Sequence, residues 1–114
     1  MAQGTIKTTV HKTGTVTASG SANVTNVIVR QYGEIVTVNG FALNVSMGNN
    51  VTVGTISGVP LPKETIRGLC GVAVNAYDHP ADVAYFTIGL DGKIAVTSTV
   101  TGTRVVYFSV SYTV

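Results

Sequence analysis

One loop of this chain gathers the residues best suited to chemistry. It holds an aromatic ring (Tyr77), two carboxylates (Asp78 and Asp82) and an imidazole (His79) within six residues. This set suits sugar hydroxyls, because carboxylates accept hydrogen bonds, an imidazole donates them, and an aromatic face covers the C–H side of a sugar ring. Arg104, near the start of an apolar alternating pattern, can donate to a hydroxyl or a phosphate through its planar guanidinium. An ordinary solvated loop is the alternative, and the residues taken alone favour it.

Groups that could support catalysis are few. The chain has five side-chain carboxylates, and its histidines are His11 and His79. The sequence shows no nucleophile elbow, no phosphate-cradling glycine loop and no metal-ligand pattern. Glycoside hydrolysis needs two carboxyl groups within about 10 Å of each other, and no such pair stands out. The sequence therefore predicts a protein that is not an enzyme and has neither a cofactor nor a metal.

The composition indicates β structure and a weakly charged surface. The 20 Val and 17 Thr make up about a third of the 114 residues, and 13 Gly indicate tight turns. Charged residues are 11% of the chain, against roughly 25% in ordinary soluble domains. The net charge of +2 is small and its bases are scattered, so no nucleic-acid partner is expected. The low charge predicts that part of the surface packs against copies of the chain; a β-sandwich with a Thr, Ser and Asn surface is the alternative.

The sequence predicts synthesis in a reducing cytoplasm and no insertion into a membrane. The first residues lack the apolar stretch of a signal peptide. No apolar run approaches the roughly 18 residues that a membrane-spanning helix needs. The single cysteine, Cys70, lies among apolar neighbours and is expected to be a small core residue.

Alternating apolar residues predict seven or eight strands and no helix. Strands are expected over residues 24–31 and 35–45, joined by a short turn at Gly33, and over residues 51–56 and 66–76. The end of the chain suggests two consecutive hairpins. The first turns at Asp91-Gly92 in a type I′ turn, and the second turns at Thr101-Gly102. In the last strand one face is expected to be buried, namely Val106, Phe108, Val110, Tyr112 and Val114.

The chain is expected to divide at residue 22. Residues 5–21 are mostly Thr, Gly, Ser, Ala and Lys, too poor in apolar side chains to pack on a core of their own. A disordered lead-in is one reading; the β-branched content favours the end of a neck whose apolar residues meet those of neighbouring chains. Residues 1–22 are thus predicted to end a neck. Residues 23–114 are predicted to form an antiparallel Greek-key β-barrel or sandwich head.

Three segments resemble the C-terminal head domains of siphophage receptor-binding proteins, those of lactococcal phages above all. They are residues 53–62 (VGTISGVPLP), 66–68 (IRG) and 85–94 (YFTIGLDGKI). Residues 10–14 (VHKTG) also look like a segment of such baseplate proteins that comes just before stalk-like sequence. The resemblance covers residues 24–114.

The resemblance implies a β-barrel head that forms a homotrimer on a β-rich neck and binds saccharides of the host cell wall. Related heads use His, Asp and Arg side chains beside a Trp, near a subunit boundary. His79, Asp82 and Arg104 occur here in the same order and at similar distances from the C-terminus. The chain has no Trp, so Tyr77 or Tyr107 is the candidate for the aromatic platform.

The prediction is therefore a phage adhesin that recognises a cell-wall polysaccharide of a Gram-positive host, including one that bears phosphate. His79 and Asp82 are expected to bind hydroxyls, Arg104 a hydroxyl or phosphate, and Tyr77 or Asp78 to line the pocket. The expected location is the tail tip or baseplate of the virion, with other baseplate proteins bound on the N-terminal side. The alternative is a trimeric capping domain of a baseplate or fibre that has no sugar site.

Overall fold

The structure, a computed structural model, describes residues 10–75 and 79–114. These residues form nine β-strands and no helix. Every strand pairing is antiparallel, so the predicted all-β class is confirmed. In chain order the strands are β1 (His11–Thr13), β2 (Thr15–Ala18), β3 (Asn23–Tyr32), β4 (Ile35–Ser46), β5 (Val51–Ser57), β6 (Ile66–Ala73), β7 (Asp82–Ile88), β8 (Lys93–Thr97) and β9 (Thr103–Thr113).

The strands form one sheet that curls into a nearly closed barrel. Their order is β1-β3-β4-β9-β6-β7-β8-β5-β2. At one edge β1 pairs with β3, and at the other β2 pairs with β5. Only Gly14 separates β1 from β2, and its N–H donates to the carbonyl of Val29 at 2.8 Å. Residues 11–18 therefore join the two edges of the sheet.

The predicted Greek key is present in the second half of the chain. Strands β6, β7 and β8 are consecutive neighbours, and β9 returns to lie beside β6, which gives the order β9-β6-β7-β8. The hairpin predicted between β3 and β4 is also confirmed, with Gly33 at its turn in the left-handed region (φ 61°).

Of the two hairpins predicted at the end of the chain, one forms. Strands β7 and β8 pair around residues 91–92, but the turn is not type I′, because Gly92 has a positive φ (83°) and Asp91 does not. The N–H of Gly92 instead donates to the carbonyl of Gly89 at 3.0 Å. The second predicted hairpin is wrong: both edges of β8 are already paired, with β7 and with β5, so β9 pairs with β4 and β6.

The core fills the barrel and follows the alternation of the strands. On β9, Val106, Phe108 and Tyr112 are buried as expected, and Val110 and Val114 pack partly against the same core. Cys70 is buried, as predicted. The largest fully buried side chains are Ile56, Ile88, Ile94, Val29, Val36, Val38, Val45, Val53, Val72, Val96 and Val106.

The N-terminal strands belong to this same sheet. Val16 of β2 is partly buried against the core, and its Cγ1 would lie 2.7 Å from a Cβ added at Gly54 of β5. The assignment of residues 1–22 to a neck stays a prediction, with the finding that residues 11–18 are hydrogen-bonded into the sheet of the predicted head.

Register places the ends of several strands together. Val72 of β6 pairs with Asp82 of β7 on one side and with Val106 of β9 on the other, and Val106 pairs with Ala42 of β4. The starts of β7 and β9 thus meet the ends of β6 and β4 at one end of the barrel. We call this end the rim; the opposite end, which carries the β3–β4 and β7–β8 turns, is the base.

Candidate functional site

Arg104 stands at the rim as the second residue of β9, opposite Val45 of β4. Its side chain is half-buried, and its Nη1 donates to the carbonyl of Thr103 at 3.0 Å. This bond uses one of the five N–H donors of the guanidinium. The side chain lines an open recess of about 310 Å³, formed with Leu43, Asn44, Val74, Asn75, Thr103 and Val105.

Asp82 and His79 also lie at the rim, on the chain that enters β7. Asp82 is the first residue of β7, and both side chains are exposed. The N–H of Ala81 donates to the carbonyl of Val72 at 3.0 Å, which ties this entry to the end of β6. Tyr77 and Asp78, the other two predicted site residues, lie outside the described residues.

The structure brings Asp82 and Arg104 to one end of the barrel without bringing them into contact. β6 lies between β7 and β9. Neighbouring strands are about 4.8 Å apart, and Arg104 lies two residues beyond Val106, which is in register with Asp82, so the two backbones are separated by about 12 Å. Within the described part of the chain, the one ion pair joins Lys93 and Asp91 at the base. Asp82 and Arg104 therefore form no ion pair with each other.

Two asparagines near Arg104 were not predicted from the sequence. Asn44 and Asn75 line the same recess, and each side-chain amide carries both donors and an acceptor. Asn44 has φ 56° and lies within an irregularity in the β4–β9 register, between Ala42 and Val45. Such a bulge changes the direction of the side chains. In the sequence it is indicated only weakly, by an Asn between two apolar residues.

Tyr107, the alternative aromatic platform, is not part of this recess. It lies an odd number of residues from Arg104 on β9, so its side chain is on the outer face of the sheet. There it is half-buried and its ring is 5.7 Å from that of Phe41, at 43°. The described residues that line the recess thus include polar side chains and one guanidinium, and no aromatic ring is among them.

Two side chains buried in the barrel, those of Cys70 and Tyr112, have raised pKa values. Burial raises the pKa of the Cys70 thiol from its ordinary value of 9.0 to about 11. Burial also raises the pKa of Tyr112, whose hydroxyl donates to the carbonyl of Pro60 at 2.8 Å. Both groups are structural parts of the barrel.

The described ranges contain no cluster of three or more His, Cys, Asp or Glu side chains able to hold a metal ion. Within these ranges there is also no helix that could cross a bilayer. Comparison with known proteins gave no match to any family model, to any curated protein or to any solved structure.

Proposed function

We propose that the chain is the head of a phage receptor-binding protein that attaches to saccharides of a Gram-positive cell wall. The sequence resemblance supports this function, and the β-barrel is the kind of fold that the resemblance implies. The protein would act at the tail tip or baseplate as a homotrimer, without catalysis. Linking three weak sugar sites would raise the overall affinity through effective concentration.

The observation that carries the proposal is the common position of His79, Asp82 and Arg104 at the rim. Arg104 is far in sequence from His79 and Asp82, yet the register of β6 with β7 and β9 brings the start of β9 to the same end of the barrel as the start of β7. Their exposure leaves the carboxylate and imidazole available to hydroxyls. The recess beside Arg104 would hold a hydroxyl or a phosphate of the saccharide.

Retention of the protein on purified Gram-positive cell walls tests this assignment. Arg104→Ala and Asp82→Ala should each weaken retention at least about tenfold, because a hydrogen bond to a charged group contributes about 1.5–3 kcal/mol. Arg30→Ala and Asp91→Ala are matched controls, since both side chains are exposed and lie toward the base. Equal retention of the two rim variants and the wild type would place the sugar site elsewhere.

A capping domain of a baseplate or fibre is the second candidate. The separation of about 12 Å between the Asp82 and Arg104 backbones favours it, because the structure does not show those side chains converging on one small group. A capping domain would assemble normally and show no retention on the walls of any host.

A further inference from the structure

The guanidinium of Arg104 lies close to the turn before β9 and has no acidic partner. Its Nη1 donates to the carbonyl of Thr103, and a Cβ added at Gly102 would lie 3.2 Å from the same nitrogen. Gly102 has a positive φ (86°), which glycine adopts without strain, so the turn leaves space for the guanidinium. The other N–H donors of Arg104 have no partner among the described residues.

The charges around the recess do not neutralise this guanidinium. None of the described residues that line the recess is acidic, and Arg104 forms no ion pair with the described part of the chain. Glu34, Glu64 and Asp91 lie toward the base. Asp82 is the one described carboxylate at the rim, about 12 Å from Arg104 between backbones. At physiological ionic strength the Debye length is about 8 Å, so most of the attraction over that distance is screened.

Asn44 adds a neutral donor to the same recess. Its backbone is in the left-handed region (φ 56°), and its carbonyl accepts a hydrogen bond from the hydroxyl of Ser21 at 2.8 Å. The exposed side-chain amide is therefore available to a ligand. The recess of about 310 Å³ also has space for a group larger than one hydroxyl, since a water molecule occupies about 30 Å³.

We infer that this recess binds a phosphate group of an anionic saccharide, held by the guanidinium of Arg104 and the amide of Asn44. The inference rests on the proposed saccharide binding and names the chemical class of its ligand. The planar guanidinium matches two oxygens of a phosphate, and such charge-assisted bonds are about twice as strong as neutral ones. A neutral hydroxyl would leave the half-buried positive charge without a counter-ion. A phosphate also has more oxygens than a carboxylate, so Arg104 and Asn44 can bind it together.

Titration of the ¹⁵N-labelled protein with matched monosaccharides tests the inference. The probes are glucose 1-phosphate, the neutral methyl glucoside and the carboxylate glucuronate, and the amides of residues 43–45 and 103–105 report binding. Glucose 1-phosphate should bind at least about tenfold more tightly than methyl glucoside, because a hydrogen bond between charged groups is stronger than one to a hydroxyl.

Three variants separate the recess from the overall charge of the protein. Arg104→Gln should remove the preference for glucose 1-phosphate. Asn44→Gly keeps the left-handed backbone and should weaken binding about twofold to tenfold through the lost amide. Arg67→Gln removes the same charge from an exposed side chain outside the recess and should bind like the wild type.

Equal binding of glucose 1-phosphate and methyl glucoside, or no saturable shift with glucose 1-phosphate, would overturn the phosphate site. Glucuronate that binds as tightly as glucose 1-phosphate would overturn it too. Inorganic phosphate is the last probe: if it binds as tightly as glucose 1-phosphate, the recess takes free phosphate, and the saccharide part of the inference is wrong. Retention of the wild type on cell walls is measured separately, so failure of the phosphate site is distinguishable from failure of saccharide binding.

Discussion

Arg104 and Asp82 each lie at the start of a strand, and this position decides what their side chains can do. Arg104 continues the series of buried Val106 and Phe108, and Asp82 continues that of buried Ala84. If either charged residue lay two positions further along its strand, its side chain would be in the core. An unpaired charge there is very unfavourable. At the rim the same inward-facing positions are exposed to water, so a charged side chain there stays solvated.

The sequence could predict part of this site and not all of it. His79 and Asp82 lie close together in sequence, and Arg104 lies at the start of an alternating strand, so local patterns are enough to select them as candidates. Asn44 and Asn75 belong beside Arg104 only because β4 carries a bulge and β6 pairs with β9. Those pairings join residues far apart in sequence, and no local pattern specifies them.

At the level of single residues, we expect the protein to lose stability in alkaline solution. The pKa of Cys70 is about 11 in the folded protein, against an ordinary value of 9.0, and that of Tyr112 is also raised. The folded state therefore keeps protons that the unfolded state releases. The contribution of Cys70 to stability is complete below about pH 9 and is lost as the pH rises through 11.

Urea unfolding between pH 8 and 11 measures this effect. The midpoint should fall as the pH rises, and Cys70→Ala should show a shallower fall than the wild type. A steeper or equal dependence in Cys70→Ala would contradict the role of the buried thiol. The native thiol should also resist alkylation at pH 8, because it is buried and protonated.

The positions of the strands were easier to predict from the sequence than the pairing between them. The alternation of β3, β4, β5 and β9 gave their bounds to within about two residues, and the Gly33 turn gave the β3–β4 hairpin. The glycine at residue 102 (φ 86°) marks a turn. A turn does not determine the next neighbour, however, because pairing also depends on which sheet edges are still free.

The closure of the barrel depends on a close approach of β2 to β5. A Cβ at Gly54 would lie 2.7 Å from Cγ1 of Val16 and 2.9 Å from the carbonyl oxygen of Thr17. Gly54→Ala should therefore destabilise the protein by about 1–3 kcal/mol, because the added Cβ would crowd the contact between β2 and β5. Gly48→Ala is the control, because its nearest contact would be an ordinary 3.4 Å to Val51.

Urea unfolding of the two variants, with amide exchange of residues 15–18, measures the effect. Exchange in β2 should speed up in Gly54→Ala and stay unchanged in Gly48→Ala. If the two variants were equally stable, the close contact between β2 and β5 would not limit the stability of the barrel.

In the whole molecule, polar, apolar and turn-forming surfaces lie on different parts of the barrel. Polar groups of the candidate site lie at the rim, exposed apolar side chains of β6 and β7 lie on the side, and the base carries hairpin turns. The low charge of the sequence predicted a surface hidden against other copies. It stays a prediction; Leu69 and Val83 are exposed apolar side chains on the outer face of the sheet.

Saccharide binding at the rim can be measured by titrating the ¹⁵N-labelled protein with soluble Gram-positive cell-wall polysaccharides and following its amide chemical shifts. We expect saturable shifts at the rim, centred on residues 79–82, 104, 44 and 75, with the base unchanged. Shifts centred on the base or on the side of the barrel would contradict the rim site. The absence of shifts with every polysaccharide would contradict saccharide binding itself.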